Sequence, residues 1–380
     1  MKIALLSPHT FSQPGGVKNH ILGLAKEFKK KNLKVKIIVP RRKIGENYGK
    51  EIILLGTSFP LSFGGAISDL SVSFLPLTIE RVLSKEKFDV LHFHNFSFPL
   101  TWQILNSPLS KKSLKILTFH ANLEGSKFLN TFPWILKEFI KFCQKKIDGI
   151  IGVNPLNLEY FKEYSGPKTV IPNGIDLEIF NPNVPKIKKY LDGKINILFV
   201  GRIEERKGLI FLLKAYKILT QKFSNLRLII VGKGPLKKEL KDWVQREKLK
   251  EVIFEGKISD KILPHYYSTC DIFCSPAIFG ESFGMVLIEA LSCGKPVVAF
   301  KIKGYKEVLK GKGEKFLAKV KDWQDLAKKI EILILNPSLR KEMGEWGIKI
   351  AEKYSLPKIT EKVLSFYKLC LNFKLKCRKK

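Results

Sequence analysis

Twice along this chain, short and almost wholly apolar runs stop at glycine or proline and give way to amphipathic stretches. In the first series the runs fall at 3–6, 35–39, 90–93, 116–119 and 150–153, with helical spacing between them, as in Ile21, Leu24, Ala25 and Phe28. Strands buried on both faces read this way, so the pattern predicts a parallel sheet covered by helices rather than a half-exposed antiparallel one. Pro172, Asn173 and Gly174 form a turn that closes the series. A charged, proline-bearing stretch, 181–194, reads as a linker. The pattern then restarts with strands at 197–200, 228–231, 252–254, 272–274 and 296–300. Helices are expected at 207–222, 236–247, 260–269 and 283–292, then at 323–335, 338–353 and from 356 to about 372. The expected fold class is α/β: two doubly wound, Rossmann-like domains in tandem, 1–180 and 195–355. Ligands of such sheets sit beyond the C-terminal strand ends, and a cleft between two domains is the natural site.

At 380 residues, with 45% hydrophobic and 27% charged residues, the chain can bury two cores. Its formal net charge is +33, from 68 Lys and Arg against 35 Asp and Glu. That surplus suits an anionic partner such as nucleic acid, anionic lipid or a phosphorylated substrate, and equally a compositional lysine bias on solvated faces. Six cysteines are too few for a disulfide scaffold. Reduced thiols and a cytosolic location are expected. No secretory signal is read, because Lys26, Glu27, Lys29 and Lys30 follow closely on the apolar start. The stretch 52–79 comes nearest to a membrane span, but Pro60, Gly64, Gly65, Pro76 and Asp69 interrupt it. It reads as an apolar loop followed by a short helix.

The motifs narrow the chemistry. Gly232 and Gly234 follow a strand, but no further glycine completes a dinucleotide fingerprint, and no Walker A loop is present. No pair of aspartates at alternate positions offers the usual acidic handle for a metal bound to a sugar nucleotide, and no metal site is expected. Gly15 and Gly16 lie between the first strand and first helix, where a backbone without Cβ atoms and a helix N-terminus favour an anion. Arg202 and Lys207 flank another strand–helix turn, a guanidinium fork and an ammonium point charge suited to a diphosphate. The most informative stretch runs from Gly280 to Ala290. Glu281 in a loop and Glu289 two turns into a helix would face one side, with the amides of Phe283, Gly284 and Met285 between them. Carboxylates suit sugar and ribose hydroxyls, and free amides suit a phosphate. His120 ends a strand, where it would reach a hydroxyl or carbonyl; His92 and His94 end another in the same way.

In order, Pro14-Gly15-Gly16-Val17 with His20, Thr118-Phe119-His120, Pro172-Asn173-Gly174-Ile175-Asp176, Gly201-Arg202 with Lys207-Gly208, and Gly280-Glu281-Ser282-Phe283-Gly284 with Glu289-Ala290 span nearly the whole chain. Together they resemble family 4 glycosyltransferases of the GT-B fold, and among these the phosphatidylinositol mannosyltransferases. The resemblance implies a metal-independent, retaining hexosyl transfer from a nucleotide sugar, GDP-mannose or a UDP-sugar, to a lipid-linked or glycan acceptor, with no further cofactor. It implies that Arg202 and Lys207 hold the donor diphosphate and that Gly16, with Gly15, approaches it from the other domain. Glu281 and the amides at Phe283, Gly284 and Met285 would take the sugar, Glu289 the ribose, and the backbone near Lys257 and Ile258 the base. His120 would stand beside sugar and acceptor, with His9 and Lys18 on the acceptor. The final helix, 356–380, would pack back on the first domain.

In this family a basic residue in the loop corresponding to 66–69 grips the lipid phosphate; here Asp69 stands nearby, and Lys18 would have to compensate. The apolar stretch 59–77, the aromatics Phe93, Phe96, Phe98 and Trp102, and the basic, apolar tail 368–380 all suit core packing or contact with an anionic membrane. The expected place is the cytoplasm, peripheral on the inner face of the plasma membrane. Two other readings are a soluble transferase making a polysaccharide or glycoside, and a basic nucleic-acid-binding α/β protein. No nucleic-acid-binding signature supports the last.

Overall fold

The structure is a computed structural model and describes residues 1–12, 15–63, 66–96, 98–121 and 133–378. The chain divides into two compact units, 1–174 with 356–380, and 175–355.

In the first unit the strands are β1 (Lys2–Leu6), β2 (Lys34–Arg41), β3 (Ile52–Phe63), β4 (Ala66–Val72), β5 (Val90–His94), β6 (Leu114–Phe119), β7 (Gly149–Gly152) and β8 (Lys168–Val170). Their order in the sheet is β4-β3-β2-β1-β5-β6-β7-β8. All pairs are parallel except β3 with β4. Side chains alternate between two buried faces, as the apolar runs require. Ile3 and Leu5 join a core with Ile21, Leu24 and Phe28 of helix Gly16–Lys30 and with Ile359, Val363 and Phe366 of helix Leu356–Arg378. Ala4 and Leu6 face the opposite core, with Ile79, Leu83, Ile104 and Cys143. The last helix fits because Gly149 has no side chain: a Cβ there would lie 2.3 Å from Cys370 Sγ. It runs to Arg378, past the expected end near 372.

One expectation fails here. The stretch 52–79 is not a loop and a helix but an antiparallel hairpin, β3–β4, followed by helix Pro76–Glu86. Pairing of β3 with β2 ends at Thr57, so Pro60 lies where that side of β3 has no ladder to donate to. Proline is tolerated at such an edge, and its presence hid the strand. Residues 66–69, read as a loop, belong to β4; the side chain of Asp69 lies outside what is described.

In the second unit the strands are β9 (Ile195–Val200), β10 (Leu226–Val231), β11 (Val252–Gly256), β12 (Ile272–Ser275), β13 (Val297–Phe300) and β14 (Leu317–Ala318), ordered β11-β10-β9-β12-β13-β14 and parallel throughout. The stretch 181–194 packs onto this unit: the amide of Ile187 donates to Thr269 Oγ1 at 2.8 Å, and Tyr190 is buried. The helix expected at 207–222 is broken. Glu205–Lys207 is one 3-10 turn, and the α-helix runs from Leu209 to Thr220. Gly208 breaks it, because its φ of 65° is left-handed and a Cβ would stand 2.0 Å from the Pro276 carbonyl oxygen.

Both sheets reverse direction of strand order once, between β1 and β5 and between β9 and β12. Those are the switch points beyond which doubly wound sheets hold ligands. Among the described residues no helix is long and apolar enough to cross a membrane.

Candidate active site

In the second unit, the loops after β9 and β12 flank the switch point and carry a chain of alternating charges. Arg202 Nε lies 3.2 Å from Glu204, and Arg206 Nε lies 2.6 Å from the other oxygen of that carboxylate. Arg206 Nη1 and Lys207 Nζ both reach Glu281 Oε1, each at 2.6 Å. Burial would raise the Glu281 pKa, but Lys207 and Arg206 together hold it below the ordinary glutamate value. Lys207 and Glu281 therefore meet at neighbouring strand ends, a contact the sequence does not announce, whereas Arg202 stands half-exposed against Glu204. Arg206 and Glu204 complete the group. They sit inside the charged run 202–208, where each charged residue also reads as a solvated surface group, so only the packing singles them out.

The backbone of these loops is closely fitted. Gly232 and Gly234, which fail as a dinucleotide motif, let the loop after β10 lie against the loop after β9. Side chains there would stand 1.8 Å from the Gly201 oxygen and 2.1 Å from the Ile203 oxygen. Gly284 caps helix Met285–Ser292 at φ 86°, and a Cβ there would stand 2.6 Å from the buried Tyr305 ring. The N-terminal turn of that helix, at Gly284 and Met285, thus follows Glu281 directly and supplies the amide end of a helix dipole. The Phe283 ring is buried against Tyr354, with centroids 5.2 Å apart, which leaves its backbone as the part able to serve a ligand.

Glu289, on the same helix, is buried and accepts from the Tyr267 hydroxyl at 2.7 Å. Burial pushes its pKa up to about 7. A buried carboxylate of this kind is ready to accept hydroxyl donors, which repay its desolvation. Ile258 follows the end of β11 and is half-buried.

In the first unit, four imidazoles gather at the C-terminal ends of β5 and β6. His94 Nδ1 and His120 Nε2 share a hydrogen bond at 3.1 Å. His92 is held by Thr118 Oγ1 at 2.6 Å and by the Tyr367 hydroxyl at 2.7 Å. His20, from the first helix, stands edge-on to both His94 and His120. Asn95 Oδ1 accepts from the amides of His120 and Ala121, fixing the turn after β6. Burial drives the pKa of His20 and His92 down to about 3, and those of His94 and His120 well below the ordinary value, so all four rings are neutral at pH 7. Nitrogens of His20, His94 and His120 lie within 4.8 Å of one another, close enough to share a cation. However, His20 Nδ1 accepts the Gly174 amide at 3.1 Å, which leaves its proton on Nε2 as a donor rather than a ligand lone pair. His92, His94 and His20 were legible only as separate histidines; their convergence needs the sheet.

Lys18 Nζ donates to the Phe11 carbonyl at 3.0 Å, and the amide of His9 donates to Ser7 Oγ at 3.2 Å, so both stand in the segment leaving β1 and in the helix that follows it. Gly15 has extended backbone that any residue adopts and open space where a Cβ would stand. The fold alone does not demand a glycine there. Gly16 opens the helix. Pro14 lies outside the described residues.

Comparison with known proteins accords with this arrangement. The profile of glycosyltransferase family 4 matches residues 14–179, and that of glycosyl transferases group 1 matches 181–350. The phosphatidyl-myo-inositol mannosyltransferase of Mycobacterium tuberculosis is 31% identical over 319 residues, 82% of this chain and 80% of that protein. Its Mycobacterium leprae counterpart is 29% identical over 375 residues, 97% and 96% of the two chains. Among solved structures, Anabaena HepE with UDP and glucose superposes with a TM-score of 0.74 at 21% identity, covering 96% of this chain and 98% of its own. Sucrose-phosphate synthase from Thermosynechococcus elongatus gives 0.75 at 20%, covering 98% and 99%. At these identities the two structures speak for the fold alone.

Proposed function

Because the chain belongs to the family 4 glycosyltransferases and is a hexosyltransferase of the GT-B fold, we propose that it moves mannose from GDP-mannose to a lipid-linked or glycan acceptor, retaining the anomeric configuration and using no metal. The observation that carries this reading is the meeting of Glu281 with Arg206 and Lys207 at the β9/β12 switch point, directly before the helix that bears Glu289. Lys207 and Arg202 take the donor diphosphate, which gathers negative charge as the sugar–oxygen bond breaks; fixed cations and helix-terminal amides stabilise that charge in place of a metal. Glu281, with the amides of Phe283, Gly284 and Met285, orients the hexose hydroxyls. Glu289 accepts from the ribose, and the backbone at Ile258 meets the base. Gly15 and Gly16 give the diphosphate its backbone approach, His120 stands by the sugar, and His9 and Lys18 serve the acceptor.

The mannosyl part of this reading is supported by relatives named as mannosyltransferases. An acceptor at a membrane surface is supported by exposed apolar side chains on the first unit. Phe74, Leu75 and Leu77 are 69%, 70% and 78% exposed. Gln103 ties Ser73 to the helix of Trp102 through two hydrogen bonds, of 3.0 and 2.9 Å, so Trp102 and Phe98 adjoin that group. The tail adds exposed Leu369, Leu371, Phe373 and Leu375 among lysines. An amphipathic, cationic surface of this kind binds anionic bilayers peripherally.

The test is a thermal-shift panel of GDP, UDP, GDP-mannose, UDP-glucose and UDP-N-acetylglucosamine without added metal, on wild type and Glu281→Ala. GDP-mannose stabilises the wild type, and the variant loses the part of the shift owed to the sugar while keeping that owed to GDP. No response to any donor sinks the reading; a response to a UDP-sugar alone replaces the donor.

A further inference from the structure

Arg206 joins the two loops that flank the switch point of the second unit, and does so twice. Its backbone carbonyl accepts from the Ile278 amide at 2.9 Å, and its side chain donates from Nη1 to Glu281 Oε1 at 2.6 Å. The guanidinium spans two carboxylates, with Nε 2.6 Å from Glu204 on its own loop. It lies along the backbone of Gly280, where a Cβ would meet Arg206 Cδ at 3.6 Å and Nη1 at 3.8 Å. Glu204 is itself buried, so its carboxylate is a fixed anchor rather than a mobile surface acid.

The two cations on Glu281 are not equivalent. Lys207 carries a single flexible ammonium, free to turn toward a stronger anion. Arg206 is fastened at both ends and has nowhere to turn. A diphosphate that draws Lys207 away would strip a buried carboxylate of one of its cations, and a buried carboxylate left under-compensated takes up a proton or moves.

We infer that Arg206 is a positioning residue that keeps the Glu281 carboxylate ionised and aimed when Lys207 engages an anionic ligand. The role rests on the reading that Glu281 receives the hexose of a nucleotide sugar. Arg206 itself touches no substrate. It acts through Glu281, with Glu204 setting its own orientation. Among the groups facing Glu281 are Arg206 and Lys207 from the β9 loop and, from helix Lys303–Val308, the neutral Tyr305, with Gly304 packed on the Glu281 carbonyl.

The experiment measures dissociation constants of GDP and GDP-mannose by calorimetry between pH 4.5 and 8.5 for wild type, Arg206→Gln and Arg206→Lys, with UDP and UDP-glucose in parallel. In Arg206→Gln the nucleoside diphosphate binds within about threefold of wild type. The affinity for the nucleotide sugar relative to the diphosphate falls at least fivefold at pH 6 and recovers in part toward pH 8, because Glu281 now titrates at higher pH. Arg206→Lys keeps a cation but cannot span both carboxylates; it lowers that ratio less and leaves its pH dependence near wild type. An unchanged ratio and pH dependence in Arg206→Gln overturns the role. So does an equal loss for diphosphate and sugar nucleotide, which would make Arg206 a direct phosphate ligand. Should the glutamine variant not fold, an unchanged ratio in Arg206→Lys overturns it. A wild type that binds no nucleotide sugar removes the donor reading first, and the role with it, so the two failures are read in different arms.

Discussion

The amide of Gly174, the last residue of the first unit before the chain leaves it, donates to Nδ1 of His20 at 3.1 Å. That contact fixes the His20 tautomer and satisfies a buried backbone donor. His20→Ala leaves the donor unpaired and costs about 1–3 kcal/mol. His20→Asn places an amide oxygen near the position of Nδ1 and recovers about half of that cost. Scanning calorimetry on the three proteins checks this; equal melting of His20→Ala and wild type would refute it.

The four neutral imidazoles make the first unit acid-sensitive. Their folded pKa values lie below the unfolded value of 6.5, to about 3 for His20 and His92. Below pH 6.5 the unfolded chain therefore binds more protons than the folded one, and stability falls as pH falls. Each uncompensated proton contributes a slope of about 1.4 kcal/mol per pH unit. Urea unfolding at pH 7, 6 and 5 should show a steepening loss, reduced in His92→Phe. A flat profile across that range contradicts the packing of the cluster.

Glu289 has the opposite sign. Its folded pKa of about 7 exceeds the reference 4.5, so the folded state holds the proton longer and stability declines as pH rises between those values. Glu289→Gln removes that decline and gains up to about 3 kcal/mol over wild type at pH 8 relative to pH 4. It also weakens nucleotide binding, since an amide accepts hydroxyl donors less strongly than a carboxylate. The comparison is a pair of denaturation curves at each pH, and parallel curves at both would be the contrary result.

Gly208→Ala meets two obstacles, a left-handed φ of 65° and the Pro276 carbonyl oxygen 2.0 Å from the new Cβ. Strain of this kind costs roughly 2–3 kcal/mol. Relief by parting the β9 and β12 loops would separate Lys207 from Glu281, so nucleotide-sugar affinity should drop with stability. Gly45→Ala has the left-handed φ without the collision and serves as the control in the same melting and binding assays.

Membrane contact is tested by cosedimentation with vesicles of phosphatidylglycerol and phosphatidylcholine. Binding should require the anionic lipid and weaken severalfold with salt. Phe74→Ser, Leu75→Ser and Leu77→Ser combined, or Leu369→Ser, Leu371→Ser and Leu375→Ser combined, should each reduce it, with the melting of the second unit unchanged. Equal binding to both vesicle types would count against an anionic surface as partner.

What could be read before folding followed from strong local signals. Apolar runs such as 197–200 and 228–231 read as buried parallel strands, which they are. The helix bearing Glu289 starts at Met285 rather than near Phe283, so Glu289 lies about one turn into it and not two. The hairpin β3–β4 stayed hidden because Pro60 speaks against a strand unless one knows its outer side is unpaired. Arg206 and Glu204 were hidden because, in a run of five closely spaced charges, burial and not residue type distinguishes a fixed side chain from a solvated one. The imidazole cluster joins residues from positions 20 to 120, a juxtaposition only the sheet order provides.

The first unit is not contiguous in sequence, whereas the second is. Ile359, Val363, Phe366 and Cys370 fill one face of the first sheet, yet they leave the ribosome after the whole of the second unit. During synthesis the first 174 residues must therefore wait with an open apolar face while the second unit completes itself, so a helix translated after that unit is the one that closes the first core.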